Sequence, residues 1–440
     1  MAPQKIDITE VIDKSDVGRF QLGIFVLCVL CLIMTGFDVQ VLGYLAPAII
    51  QDWNVTRPQM GPVLSAALVG ILVGSLLFSM LADKFGRRPV LIAGTLLFAL
   101  LTLLTARVET LSELRTLRFL GGVAMGGMMP NVVALVGEYA PRRWRVPVMI
   151  VVGNGFNLGA VLAGLTSAWV TPSLGWRAVF YIGGAVPLVI AVIMLAALPE
   201  SLQFMALQGK SREKLGSWLK RIDNTVPGPT AADYVVHEQK SAGVPMVKLF
   251  HDGRGLGTIL IWVINFMNLL NLYFLSSWLP TVITDAGYSI RISSLVGTTL
   301  QIGGLLGTFV FAWLIGRFGF VPILGTSFVI GCVSIALIGQ PAIPLALLYA
   351  VVFMSGFCIV GAQGSVNALS ATYYPTNLRA SGVGAGLGVG RFGGIVGPYL
   401  AGALMGRSWA ARELFFAAAI PAMISAATMF SMRSVIKPSK

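Results

Sequence analysis

Apolar residues run through the chain in long blocks, separated by short charged or Pro/Gly-containing breaks. Between Arg88 and Arg107, for example, no charge interrupts the stretch from Pro89 to Ala106. About 20 helical residues cross a ~30 Å hydrocarbon layer, so blocks of this length read as membrane spans. Twelve of them follow one another, at 21–47, 59–82, 89–107, 116–138, 146–170 and 177–198, then at 256–283, 293–315, 321–339, 343–369, 380–405 and 412–432. A polar stretch separates six from six. The pattern predicts an all-α integral membrane protein of twelve transmembrane helices, with an N-terminal half at 1–199, a connecting segment at 200–254 and a C-terminal half at 255–440.

Composition supports the same class. Only 11% of the 440 residues are charged and the mean hydropathy is +0.82, too little polarity to clothe a water-soluble body of this size. The 51 glycines suit helices that approach one another closely in a membrane. Cys28 and Cys31 have CxxC spacing, but no second pair or nearby histidine accompanies them, so they read as packing residues. The two histidines, His237 and His251, lie in the polar middle of the chain, which speaks against a histidine metal site or proton relay within the spans. No metal and no cofactor are expected.

The net charge of +13 raises the question of nucleic acid, but its distribution gives another answer. Of the 31 Lys and Arg residues, 22 fall on the termini, the connecting segment and the loops after spans 2, 4, 8 and 10, against 7 on the opposite loops. Basic residues collect on the cytoplasmic side, so both termini and the connecting segment are expected there, with no nucleic-acid partner. Four acids (Asp7, Glu10, Asp13 and Asp16) near the start predict no cleavable signal peptide.

The halves also repeat each other. Ala46-Pro47 matches Leu279-Pro280, and Lys84-Phe85-Gly86 matches Arg317-Phe318-Gly319, each at an offset of 233. Gly122, Gly127, Pro141 and Arg145 match Gly356, Gly361, Pro375 and Arg379 at an offset of 234. Two parallel six-helix pseudo-repeats with a site between them form a transporter plan, in which the halves rock about a midplane site.

After span 2 the chain reads Ser79-Met80-Leu81-Ala82-Asp83-Lys84-Phe85-Gly86-Arg87-Arg88. This resembles the signature between helices 2 and 3 of the major facilitator superfamily, with Ser79 in place of its first glycine. The resemblance implies the major facilitator fold and a gating role for Asp83, Arg87 and Arg88; the plainer reading of the two arginines is positive-inside charge. Within that superfamily the chain is similar to the aromatic acid:proton symporters. The similarity lies in Thr35-Gly36-Phe37-Asp38 with Leu45-Ala46-Pro47, in Arg118 to Gly122, in Gly126 to Asn131, in Glu138-Tyr139-Ala140-Pro141 with Arg145, and in Tyr374 to Ala380 before a glycine-rich span. That family carries an aspartate where Thr35 stands. The resemblance implies a proton-coupled importer of a small aromatic carboxylate in a bacterial inner membrane, acting as a monomer on an organic anion and protons.

Charges inside the spans carry the candidate chemistry, since an ionised side chain in hydrocarbon costs at least ~2.5–3.5 kcal/mol. Asp38 lies mid-span; it is expected to take the coupling proton or order the substrate site, the alternative being a structural ion pair. Its duplicate is Asn271, so the carboxylate is not demanded by the fold. Arg391, whose duplicate is Asn157, sits among glycines and is expected to hold a carboxylate through its fork of N–H donors; the alternative is a buried partner of Asp38. Glu138 is placed as a proton exit or as a helix-end charge pairing with Arg142 or Arg145. Arg118 is expected at the outer end of span 4, in an outer gate or snorkelling to the interface. Arg145 and Arg379 join the gating set. Asn131, Asn157, Asn268, Asn271, Gln363 and Asn367 form a pool of polar contacts for substrate, with Phe37 and Tyr44 as an aromatic wall, although each alone also fits interhelical packing. Two other readings remain: a symporter for another small organic acid or nutrient, and a drug:proton antiporter. Against the second, span 5 has Gly155 and Gly159 without a following proline. No nucleophile motif or phosphate-binding loop points to an enzyme.

Overall fold

The computed structural model describes residues 4–209, 212–226, 232–235, 246–341, 343–407 and 409–435; His237 and four lysines of the charge tally (Lys210, Lys240, Lys437 and Lys440) lie outside them. A short strand β1 (Gln4–Asp7) and helix α1 (Ile8–Lys14) precede the first six spans. These are α2 (Arg19–Trp53), α3 (Arg57–Phe85), α4 (Arg87–Thr105), the broken pair α5 (Leu111–Gly126) and α6 (Met128–Tyr139), α7 (Arg142–Leu174) and α8 (Trp176–Ala197). The connecting segment carries α9 (Leu202–Leu207), α10 (Arg212–Ile222) and β2 (Ala232–Val235). The second six are α11 (Gly255–Asp285), α12 (Ile290–Phe318), α13 (Phe320–Ile338), the broken pair α14 (Leu345–Ile359) and α15 (Ala362–Tyr373), α16 (Thr376–Met405) and α17 (Ala411–Ser431).

Among the described residues, eleven of these spans have both the length and the apolarity to cross a membrane. The twelfth, α16, has 30 residues and ample length, but its nine glycines together with Arg379 and Arg391 dilute its hydropathy. The breaks in the fourth and tenth spans fall at Gly127 and at Val360-Gly361. In the fourth span Pro130 has no N–H to give to the carbonyl one turn earlier, and Asn131 donates its side-chain amide to the Gly127 carbonyl at 2.7 Å.

The repeat is visible in the packing. In the first half α2 packs on α7, α3 on α5 and α4 on α8; in the second, α11 packs on α16, α12 on α14 and α13 on α17. Gly122 and Gly356 play the same part in each: a Cβ at Gly122 would overlap the Ala67 carbonyl, and one at Gly356 the Leu300 carbonyl. The two halves meet through α2 with α11, α3 with α16 and α7 with α12.

An even number of spans returns the chain to the face it left, so α1, the connecting segment and the end of α17 share one face, called here the connector face. On it β1 and β2 pair in parallel, with Gln4 opposite Ala232 and Asp7 opposite Val235, while α1 packs on α10. Asp13 accepts from the Arg142 backbone N–H at 2.8 Å and pairs with Arg145 at 3.4 Å, fastening α1 to the start of α7.

Among the described residues, α3 makes three polar contacts that join the halves. Arg57 grips Asp285 with two hydrogen bonds of 2.8 and 2.6 Å, Ser65 donates to the Ile395 carbonyl at 2.9 Å, and Arg391 donates to Ser75 at 2.6 Å. The Arg291 guanidinium also lies 3.8 Å from the Trp169 ring centroid, across the α7–α12 contact. Arg57, Asp285, Trp169 and Arg291 all stand at the face opposite the connector. On the connector side of Ser75 no such contact occurs among the described residues, and Leu76, Met80, Leu81 and Phe85 of α3 are exposed. The halves therefore close on the opposite face and part toward the connector face.

Candidate substrate and proton-coupling site

Three charged groups stand within the spans: Asp38 and Arg118 pair with each other, and Arg391 stands apart. Asp38 of α2 is fully buried, and Arg118 of α5 is only 2% exposed. Arg118 Nη1 donates to Asp38 Oδ1 at 2.9 Å, and Nη2 donates to Oδ2 at 2.6 Å and to the Asp38 carbonyl at 2.7 Å. Thr102 of α4 donates to Oδ1 at 3.1 Å, and the Phe180 ring of α8 lies 5.9 Å from the guanidinium carbon. The cluster is thus internal to the first half, between α2, α4, α5 and α8. It satisfies both carboxylate oxygens and leaves Arg118 Nε buried with no partner among the described residues. In the second half the duplicate positions are Asn271 and Val352, so the fold does not require the pair.

This corrects the expected outer-end position of Arg118. The expected span began at 116, whereas α5 begins at Leu111 because Thr110 caps it: its hydroxyl accepts from the Glu113 N–H at 3.2 Å, and Glu113 reaches back to the Glu109 N–H at 3.0 Å. Those extra residues carry Arg118 into the bundle. They also supply the partner that the sequence left open for Asp38, which is Arg118 and not Arg391.

Arg391 of α16 is half-buried at the seam between the halves, and its one hydrogen-bond partner among the described residues is Ser75 Oγ of α3. No described carboxylate pairs with it. Beside it, Gly394 packs on the Tyr273 ring of α11 and Gly390 on Asn265. Asn265 begins a polar ladder between α11 and α15: Gln363 donates to Asn265 at 3.4 Å and to Asn367 at 3.2 Å, and Asn268 donates to Gln363 at 2.7 Å and to the Ile359 carbonyl at 3.2 Å. The Asn268 side-chain oxygen Oδ1 is buried with no partner among the described residues, while Gln363 and Asn367 are partly accessible.

The remaining members of the pool scatter. Tyr44 lies at the α2–α7–α12 seam, its ring against Gly164 and Gly297. Asn157 bonds to Asn154 on its own helix at 3.2 Å, and Asn131 is spent on the break in the fourth span. Phe37 departs from the expected aromatic wall, and Asn271 from the expected polar pool. The Phe37 ring packs toward Gly183 of α8, and Asn271, with its amide turned to suit both partners, donates to the Ala418 carbonyl at 2.7 Å and accepts from the Ala422 N–H at 3.1 Å. Both side chains lie on faces of α2 and α11 turned into their own half, a one-turn ambiguity that sequence spacing cannot resolve.

The expected gating residues gather on the connector face. Gly86 turns the chain from α3 into α4 at φ 107°, a conformation that suits only glycine, and a Cβ there would overlap Glu200 Oε2. Glu200 Oε1 accepts from the backbone N–H groups of Arg87 at 2.8 Å and Arg88 at 3.1 Å, so a carboxylate caps the start of α4. Arg87 lies 3.6 Å from Glu138 and 3.8 Å from Asp83, and Arg88 donates to the Leu198 and Leu195 carbonyls. Asp83 is 80% exposed, Arg145 pairs with Asp13, and Arg379 is exposed at the start of α16. Among the described residues, Glu138 thus meets Arg87. Glu200 was not among the expected residues; its signal is an acid placed directly after the last apolar block of the first half.

The profile of the Major Facilitator Superfamily matches residues 28–251 and 261–440. The chain belongs to the major facilitator superfamily. It is a multi-pass membrane transporter of that superfamily, with the all-α fold expected from its spans. It is 35% identical over 432 residues to the 4-hydroxybenzoate transporter PcaK of Pseudomonas aeruginosa, covering 97% of this chain and 96% of that protein. It is 36% identical over 422 residues to the gallate transporter of Pseudomonas putida, covering 96% and 94%. Among solved structures, the partially occluded inward open form of the xylose transporter XylE from E. coli superposes with a TM-score of 0.73 at 18% identity, over 96% of this chain and 98% of that one.

Proposed function

We infer that this superfamily member imports a small aromatic carboxylate together with protons, by alternating access between halves at 1–199 and 255–440. The observation that carries this reading is Arg391: a half-buried guanidinium at the seam, with no carboxylate partner among the described residues, beside Tyr273 and a ladder of amides. An arginine fork matches the geometry of a carboxylate, and the low local dielectric strengthens the pair. The relatives named for 4-hydroxybenzoate and gallate transport support the ring acid as the class of cargo.

The proton belongs to the buried pair. Asp38 is held by Arg118 and Thr102; protonation of its carboxylate would loosen α2 from α4 and α5, giving the first half two arrangements to switch between. Glu138, in contact with Arg87 at the connector face, is the exit for that proton. Each charge moved across 100 mV is worth ~2.3 kcal/mol, so import of an anion gains from the potential only with more than one proton. With the basic loops inside, the connector face is cytoplasmic and the protein lies in a bacterial inner membrane.

A competition panel tests the cargo. Cells expressing the protein are given radiolabelled 4-hydroxybenzoate with excess unlabelled gallate, benzoate, shikimate or xylose. Uptake blocked by the ring acids and untouched by xylose is expected; uptake blocked by xylose alone, or none above background, would remove the aromatic carboxylate.

A further inference from the structure

The seam between α3 and α16 can be followed residue by residue. From the opposite face inward, Pro58 packs against Gly406, Gly61 against Pro398 and Gly402, and Ser65 bonds to the Ile395 carbonyl. Ser75–Arg391 is the last polar tie of this series. Beyond it, toward the connector face, Gly384 and Gly388 of α16 have nothing near the space a Cβ would fill. The bond therefore sits where the two halves part.

Its atoms matter as much as its place. Ser75 Oγ gives its own proton to the Leu72 carbonyl at 2.9 Å, which leaves its lone pairs to accept from Arg391. Arg391 spends Nη1 on that oxygen, and its Nε–Nη2 edge has no described protein partner. That edge supplies the two parallel N–H groups a carboxylate takes in a bidentate pair. Arg118 shows the contrast: it uses Nη1 and Nη2 on Asp38 and strands its Nε.

We propose that Ser75 is a positioning residue for transport: from the first half, it holds Arg391 of the second half by Nη1, so that the Nε–Nη2 edge is left at the seam for the substrate carboxylate. The proposal rests on Arg391 as the carboxylate site and adds the residue that aims it. Because the two partners lie on opposite halves, this aim exists only while the seam is closed, and carboxylate affinity is thereby tied to the conformational state.

The test uses the full-length protein in proteoliposomes with radiolabelled 4-hydroxybenzoate, comparing wild type, Ser75→Ala, Ser75→Thr, Arg391→Lys and Ser75→Ala with Arg391→Lys. Ser75→Ala is expected to raise KM about tenfold, as for a lost hydrogen bond to a charged group, with kcat within about twofold. Ser75→Thr, which keeps the hydroxyl, is expected to restore KM. In the Arg391→Lys background Ser75→Ala is expected to add nothing. An unchanged KM in Ser75→Ala, a loss that Thr does not rescue, or an effect fully additive with Arg391→Lys would each overturn the positioning role while leaving Arg391 in place. A wild-type KM in Arg391→Lys would instead remove Arg391 as the carboxylate site, and this proposal with it.

Discussion

Arg118→Met is expected to be the most damaging single substitution in the membrane interior. It leaves Asp38 buried among α2, α4, α5 and α8 with only the Thr102 hydroxyl for company. Removing one partner of a buried ion pair costs ~3–5 kcal/mol, because the remaining charge stays desolvated or must take up a proton. Thermal unfolding of the purified protein in detergent measures this directly, as a large fall in the transition temperature. The pair Asp38→Asn with Arg118→Met tells stability apart from function. An amide can still accept from Thr102 and brings no charge, and the second half already carries the comparable Asn271 and Val352. The double variant is therefore expected to recover most of the lost stability and yet fail to accumulate substrate against a gradient. Wild-type stability in Arg118→Met would show that the pair carries little weight. Normal accumulation in the double variant would remove Asp38 from proton coupling.

Arg391→Lys is expected to have the largest effect on affinity with the smallest effect on folding. Arg391 is half-buried and makes a single hydrogen bond, so little packing is lost. Lysine keeps the charge but offers a point donor where arginine offers a planar fork, which is not a conservative change at a bidentate site. A loss of ~1.4–2.7 kcal/mol in carboxylate binding corresponds to KM rising roughly ten- to a hundredfold. Initial uptake rates over a range of 4-hydroxybenzoate concentrations give the value. An unchanged KM would end the bidentate role.

Much of the architecture is legible in the sequence because membrane spans are written in length and apolarity alone. The repeat is legible because glycine is irreplaceable at a few points: Gly86 and its duplicate Gly319 both sit at positive φ, and Gly122 and Gly356 both meet a facing carbonyl. α16, read in the sequence at 380–405, is diluted in apolarity by the same glycines that let it lie against α11. Side-chain direction is less legible. Asp38 and Arg391 both stand out as intramembrane charges, but one turns into its own half and the other to the seam, and nothing in their spacing says which. Arg118 reads as an end-of-span residue because the apolar block starts at 116, whereas the Thr110–Glu113 cap starts α5 at Leu111. Ser75 carries no signal of its own, because a serine in a span is ordinary and only the facing helix gives it Arg391; Glu200 shows only as an acid closing an apolar block, and its cap on α4 appears only in the fold.

Proton movement is expected to drive carboxylate accumulation. Purified protein in proteoliposomes, with an imposed pH gradient acid outside, is given radiolabelled 4-hydroxybenzoate with and without a protonophore. The prediction is transient accumulation above the level set by passive equilibration, abolished by the protonophore and absent in Asp38→Asn. Equal uptake with and without the gradient, or accumulation that the protonophore leaves intact, would contradict it.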